Sequence, residues 1–312
     1  MSGQPTTPIS GLSAVPRPPG RDLVLIAVGV VAVSTSAPLI AATAASGLAI
    51  AFWRSALGAL FTAPVVLVRR WTELRSMDRR LVLVSAAAGA LLAAHFATWV
   101  PSLTYTSVAS STALVATQPL WAALIAQARG QHVPRRAWLG MAVAFAGVLA
   151  ITGVDFAVST EALFGDILAL VGAVFAAAYV TVGAEARQHL STGSYTLVCY
   201  TVCGLVLLPV ALVAGVQLTG FAAITWWQIL ALTVIAQLLG HTVLNSVLRT
   251  TSPTVLSLAI LFEMPGATII AAIAIGQLPP AGVIPAAALL LVGIALVVFG
   301  QGRDVPPSIP AE

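Results

Sequence analysis

Residues 258–270 read LAILFEMPGATII. An apolar run that ought to be continuous carries Glu263 in its middle, with Met264 and Pro265 directly behind it. In a soluble core helix an unpaired carboxylate there would be an error; inside a membrane-crossing helix it marks a functional position by default. The reading therefore turns on which solvent surrounds the chain. Of 312 residues, 59% are hydrophobic and 8% charged, and the mean hydropathy is +1.01. That is too little charge to face water on all sides, so this is an integral membrane protein.

Apolar runs at 23–42, 48–68, 81–102, 104–125, 137–153, 164–183, 194–214, 224–248, 253–275 and 281–300 supply the spans, several of them with the length of about 18 residues or more that a crossing needs. The fold expected is all-α, with ten transmembrane helices. The shortest run, 137–153, is followed by a break around Gly153 and Asp155, with a tilt or a slight extension of the helix as the alternative, and 154–163 reads as a connection. Alternating strands at ten-residue spacing are absent, which argues against a β-barrel.

All fourteen basic residues are arginine, and thirteen lie outside the spans. Arg17 and Arg21 precede the first; Arg69, Arg70, Arg75, Arg79 and Arg80 fill the connection after the second. Arg129, Arg135 and Arg136 follow the fourth, and Arg187, Arg249 and Arg303 follow the sixth, eighth and tenth. The alternate connections hold no arginine. The positive-inside rule then places both termini in the cytoplasm and the chain in the cytoplasmic membrane. Residues 1–22 are rich in Pro, Gly, Ser and Thr and read as a disordered tail, as do 301–312. No short apolar region follows a basic start before residue 23, so the N-terminus does not read as a cleavable signal.

Sliding the chain by 146 residues superposes His95 on His241, Pro119 on Pro265, Gly130-Gln131 on Gly276-Gln277, Pro134 on Pro280 and Gly147 on Gly293. A constant offset through three helices is a repeat. Five spans per half make the second half enter from the opposite side, so the halves 23–153 and 164–300 are expected to be inverted-topology repeats. Secondary transporters use that design, because two similar packings of the same halves supply inward-open and outward-open states.

The stretches YTSVASSTALVATQPLWAALIAQARGQHVPRRAWLGMAVAFAGVLAI (105–151) and SPTVLSLAILFEMPGATIIAAIAIGQLPPAGVIPAAALLLVGIALVVFG (252–300) pair small residues, a proline, a turn and a glycine-containing final helix. They resemble the EamA family of the drug/metabolite transporter superfamily, and the resemblance covers all ten spans. It implies alternating-access transport of small metabolites and names no single substrate, since members move amino acids, sugar derivatives, nucleotide conjugates and organic cations. The family pattern has Gly-Glu at the turns after spans 4 and 9; Gly130-Gln131 and Gly276-Gln277 depart from it and remove two charges.

Candidate site residues are the polar groups at membrane depth. Glu263 lies ten residues into its span, about 15 Å along a helix axis and so close to the midplane of a roughly 30 Å hydrocarbon layer. Its charged form is costly there, so a proton-coupling or substrate-ammonium site is one reading. The other is a neutral carboxyl hydrogen-bonded to a neighbouring helix where Pro265 frees a carbonyl, and the resembled family often carries Glu-Pro here. His95 with Trp99, and Gln237 with His241 and Asn245, form polar stripes at helical spacing, which must face protein or water and point to a cavity between the halves. His241, with its near-neutral side chain, is a second candidate proton carrier.

Arg54 is the sole basic residue inside a span, six residues from its outer end. Snorkelling of its stem to the interface is the expectation, with pairing to a substrate carboxylate or to Glu263 as the alternative. Gln118 is a further substrate-binding or coupling candidate. Trp53, Trp99, Trp121, Tyr179 and Tyr200 offer π faces for an aromatic or cationic substrate. Trp71, Trp138, Trp226 and Trp227, at span ends, read as interfacial anchors. Cys199 and Cys203 read as packing residues rather than a metal set.

No phosphate-cradling loop, HExxH or GxSxG occurs, and no Asp-rich loop that would hold a metal–diphosphate. The expectation is a non-enzymatic transporter of a small amino-acid-like or organic-cation metabolite, without cofactor or metal, with protons as candidate coupling ion and no nucleic-acid partner; that it exports is what the resemblance implies. A polytopic lipid-processing enzyme, or a non-transporting scaffold or receptor, is the competing class.

Overall fold

The computed structural model describes residues 20–247 and 259–301, among which there are helices and no strand. Helix α1 (Gly20–Ser34) and α2 (Ser36–Ala42) make one span interrupted at Thr35, ahead of Pro38, whose missing N–H leaves the Ser34 carbonyl without its helical donor. Ser34 Oγ donates to the Val30 carbonyl and Thr35 Oγ1 to that of Ala32, each at 2.7 Å. Then follow α3 (Gly47–Arg69), the short α4 (Trp71–Ser76) and α5 (Arg79–Tyr105). Ser46 and Asp78 cap α3 and α5, accepting from the N–H groups of Ala49 and Leu81 at 3.2 and 2.7 Å.

Helices α6 (Val108–Val115) and α7 (Gln118–Ala128) form a span broken at 116–117; α8 (Arg135–Val158), α9 (Thr160–Arg187) and α10 (Thr192–Val213) are continuous. The next span is composite: α11 (Ala223–Ala231), a π-helical stretch (Leu232–Gly240) and α12 (His241–Val247). Helices α13 (Glu263–Ile275) and α14 (Val283–Gln301) complete the described chain. Among the described residues eight spans are long and apolar enough to cross a membrane, and α13 and α14 contribute two shorter apolar helices. The expected ninth span begins at 253, and its portion up to 258 lies outside the described residues.

Two expectations are corrected. Helix α8 does not end at Gly153, beside which a Cβ would meet open space, but runs on to Val158. Asp155 consequently sits inside the helix, 2% exposed, and not in a connection. The break between the third and fourth spans falls at 106–107, later than residue 103, because Ser107 caps α6 by accepting from Ser110 N–H at 3.0 Å.

Packing interleaves the two halves. One apolar cluster joins Ala113, Leu120, Ala144 and Ile151 with Leu290 and Ile294 of α14. The other joins Ile50, Phe96, Trp99 and Val100 with Leu207, Leu232 and Ala267. Among apolar helices in lipid, close van der Waals approach rather than burial from water drives association, so small residues set the seam. At the α8–α14 contact a Cβ on Gly293 would stand 2.2 Å from the Ala144 nitrogen. Gly293→Val should therefore lower the melting temperature in detergent, at an overpacking cost of about 1–3 kcal/mol or more. Gly153→Ala, where a Cβ meets nothing within 4 Å, should raise it slightly, by about 0.5–1 kcal/mol; equal melting of the two would refute the tight seam.

The ends are also tied. On the arginine-bearing side Glu73 accepts from Ser191 N–H, and Arg80 pairs with Glu185. On the other, Trp53 Nε1 donates to the Leu218 carbonyl at 2.7 Å and Val108 N–H to Gln277 Oε1 at 2.9 Å. Gln277, one of the two departures from Gly-Glu, thus caps the first turn of α6 through a neutral amide oxygen.

Candidate functional site

Both broken helices point their breaks at one place. Pro119 cannot donate to the Val115 carbonyl, nor Pro265 to that of Leu261, and each span relaxes into a two-residue turn, at 116–117 and 261–262. Ala116 and Phe262 stand 146 residues apart, the offset of the sequence repeat. Val115, Ala116 and Leu261, with the new N-terminal turns that begin at Gln118 and Glu263, border a central cavity of about 240 Å³. Half-helix N-termini present unpaired N–H groups and half-helix C-termini unpaired carbonyls, so the breaks are polar at a depth where the rest of the wall is apolar.

Five of the nine site residues expected from sequence also line this cavity: Arg54, His95, Trp99, His241 and Glu263. Gln118 makes a sixth. The His95 Nδ1 lies 2.9 Å from the Gly172 carbonyl. A carbonyl only accepts, so Nδ1 carries the hydrogen and Nε2 is left as the acceptor. The ring also stacks on Trp99, 5.5 Å between centroids at 10°. His241 is accessible from the cavity, at the junction of the π stretch with α12.

Arg54 does not snorkel. Its side chain is 2% exposed and turned inward. The guanidinium lies 4.3 Å above the Phe96 ring centroid, and Nε donates to Gln237 Oε1 at 2.9 Å. Gln237 Nε2 returns a bond to the Arg54 carbonyl at 3.3 Å. A π face and an amide oxygen supply what the interface would have offered, and the cavity supplies room for the rest. Arg54 Nη1 is buried without a hydrogen-bond partner, and so is Trp99 Nε1. Two unused donors beside one cavity fit an acceptor such as a carboxylate. Glu263 lines the same cavity without forming an ion pair to Arg54.

Other expected residues fall elsewhere. Gln237 stands behind Arg54, 2% exposed. Tyr179 does not reach the cavity; it packs against Tyr195, 6.5 Å between ring centroids. Asn245 lies on α12, and its side chain is outside the described residues. Trp53 packs on Trp226, and Trp121 donates to Thr117 Oγ1 at 3.1 Å, beside an apolar groove between α7, α8 and α9. Trp71, Trp138 and Trp227 are exposed, in keeping with interfacial positions, whereas Trp226 is half-buried against Trp53 and Phe221. Cys199 and Cys203 are fully buried, Cys203 Sγ lying 3.2 Å from Ser55 Oγ. Among the described residues no group of three or more His, Cys, Asp or Glu converges on a metal position.

Sequence reasoning missed Ser36, Phe96 and Thr112, which line the cavity. It also missed Asp166. That carboxyl is fully buried and shares the Thr106 hydroxyl with Asp155, at 2.9 and 3.3 Å. An acidic residue three positions into a span was the available signal.

If the cavity binds substrate, His95→Ala and His241→Ala should each lower flux roughly tenfold, the worth of about one hydrogen bond, with insertion unchanged. Wild-type flux in both would relegate the rings to packing.

The family model described as the EamA-like transporter family matches residues 21–153 and 163–299. The chain belongs to that family and is a multi-pass membrane protein. A solved structure described as "Crystal structure of protein" has the same fold, with a TM-score of 0.63 at 15% identity over 91% of this chain and 99% of that one. No curated protein matches the sequence significantly.

Proposed function

We propose that this protein is an alternating-access secondary transporter in the cytoplasmic membrane that exports a small amino-acid-like metabolite without catalysing its conversion. The observation that carries the proposal is one cavity lined by a guanidinium, Arg54, and a carboxyl, Glu263, together with His95, Trp99 and His241. A zwitterion has one group for each. A purely cationic substrate would meet Arg54 unopposed, which favours the amino-acid-like reading over the organic-cation one. Glu263 is the group proposed to exchange the coupling proton.

The proposed architecture is ten spans in two inverted five-helix halves, 23–153 and 164–300, with both termini cytoplasmic. The matched helix breaks 146 residues apart and the family match in two segments support it. Cysteines placed at Ser46, Ser159 and Gly220 should react with impermeant reagents from outside the cell, and ones at Ser76 and Ser191 should not; reversed labelling would overturn the orientation. For function, an untargeted metabolite comparison of cells and medium with and without the protein should show an amino-acid-like compound shifted to the medium. A flat comparison across all compound classes would count against metabolite export, and vesicles of either orientation test its direction.

A further inference from the structure

The π-helical winding of Leu232–Gly240 extends over nine residues, whereas such winding usually occurs as single turns. The counterpart one repeat earlier, residues 86–94, is uninterrupted α-helix within α5. The two stretches end next to the paired histidines, His241 and His95. Winding therefore differs between the halves at the point where both reach the cavity.

Gln237 lies inside the π stretch and holds Arg54 from two sides, accepting from Nε and donating to the Arg54 carbonyl. Space for that clasp comes from Gly58, where a Cβ would stand 2.4 Å from Gln237 Nε2. The Tyr200 hydroxyl adjoins the same amide and gives it a partner if Arg54 is withdrawn. Arg54 uses Nε on Gln237 and leaves Nη1 buried and unpaired beside the cavity. A carboxylate that enters the cavity and binds the guanidinium side-on, through Nε and Nη2, competes with Gln237 for Nε and leaves Nη1, on the opposite edge, for a second acceptor.

We infer that Gln237 is a positioning latch: its clasp on Arg54 holds Leu232–Gly240 in the π form, and a ligand carboxylate arriving at Arg54 releases the stretch to rewind as α-helix. The inference rests on the transporter reading. Removing one residue of extra winding turns the helix beyond it by about 100°, since each α-helical residue subtends that angle. The turn carries His241 around the helix axis relative to the cavity, which links occupancy of Arg54 to the shape of the second half.

Hydrogen exchange measured peptide by peptide on the full chain in lipid nanodiscs tests this. Gln237→Leu, which cannot clasp, frees the stretch to switch between π and α ladders, each switch breaking its backbone bonds, so exchange in 232–240 should rise roughly tenfold while 86–94 stays unchanged. Gln237→Glu, which pairs by charge with Arg54, should slow it below wild type. Gly58→Ala, pressing on the amide from α3, should act like Gln237→Leu and serves if that variant fails to fold. A mixture of the common L-amino acids should speed exchange in the wild-type stretch and add nothing in Gln237→Leu. Shifts of the same sign for the Leu and Glu variants, no shift, an equal change in 86–94, or no response of the wild type to the mixture would each overturn the latch. Opposite signs without any measurable flux would keep the latch and sink the transporter reading; flux without opposite signs would do the reverse.

Discussion

Arg54→Met should abolish flux while leaving the melting temperature near that of the wild type. Replacing a buried charge by an apolar side chain of similar length is often close to neutral for stability, because the cost of desolvating the charge disappears with it. The groups left behind are few: the Gln237 amide, which keeps Tyr200 beside it, and the Phe96 face, against which a thioether packs well. Function has no such compensation. Two charge-assisted hydrogen bonds to a carboxylate, at about 1.5–3 kcal/mol each, amount to a loss of roughly a hundredfold or more. Arg54→Lys should fail nearly as badly, since an ammonium offers neither the planar fork nor the stacking surface used over Phe96. Full flux in either variant would make Arg54 a structural residue and remove the zwitterion argument.

Glu263→Gln should insert and fold, bind substrate more weakly because an amide cannot pair with an ammonium by charge, and lose the response of flux to an imposed pH gradient. Glutamine keeps the shape and an acceptor oxygen of the carboxyl but cannot change charge, so it separates proton exchange from hydrogen bonding in a way that alanine, which also leaves a hole, cannot. Glu263 opens the first turn of α13 with Pro265 two residues on. The unpaired N–H groups of that turn favour a negative charge there, which gives the ionised state a partner when water or an ammonium group enters the cavity. Measured in proteoliposomes, unchanged pH dependence in Glu263→Gln would leave Glu263 as a hydrogen bonder beside the break and move any coupling to His241 or His95.

Much of the cavity lining was legible because the membrane makes polar residues conspicuous. Glu263, His95, Trp99 and His241 stand out from apolar surroundings, and helical spacing puts the histidine stripes on faces that lipid cannot cover. Arg54 was visible but misplaced: depth along a span tells how far a side chain must reach to water, not whether a phenyl face and an amide from another helix wait closer by. Tyr179 erred the other way, since an aromatic ring in a span is as welcome against Tyr195 as in a cavity. The helix breaks were foreshadowed by Pro119 and Pro265, and the repeat tied them together. The π winding was not, because nothing in LTVIAQLLG distinguishes an i→i+5 from an i→i+4 ladder; that choice is made by the contact with α3. At Gly153 a glycine and an aspartate suggested a stop, but Asp155 finds Thr106 and the helix continues.

Ser159 alone separates α8 from α9, and it is extended, ending one helix and starting the other. Its N–H donates to the Asp155 carbonyl at 2.9 Å and its hydroxyl oxygen accepts from Ala162 N–H at 3.0 Å. It is also the joint between the two halves, so there is no slack at this joint to pay out. Under the proposed alternating access, the two family-matched segments would swing about this end as a fixed pin, with the travel growing toward the arginine-bearing end. A short flexible insertion at Ser159 would turn the pin into a tether, and flux would fall although every residue around the cavity remained in place.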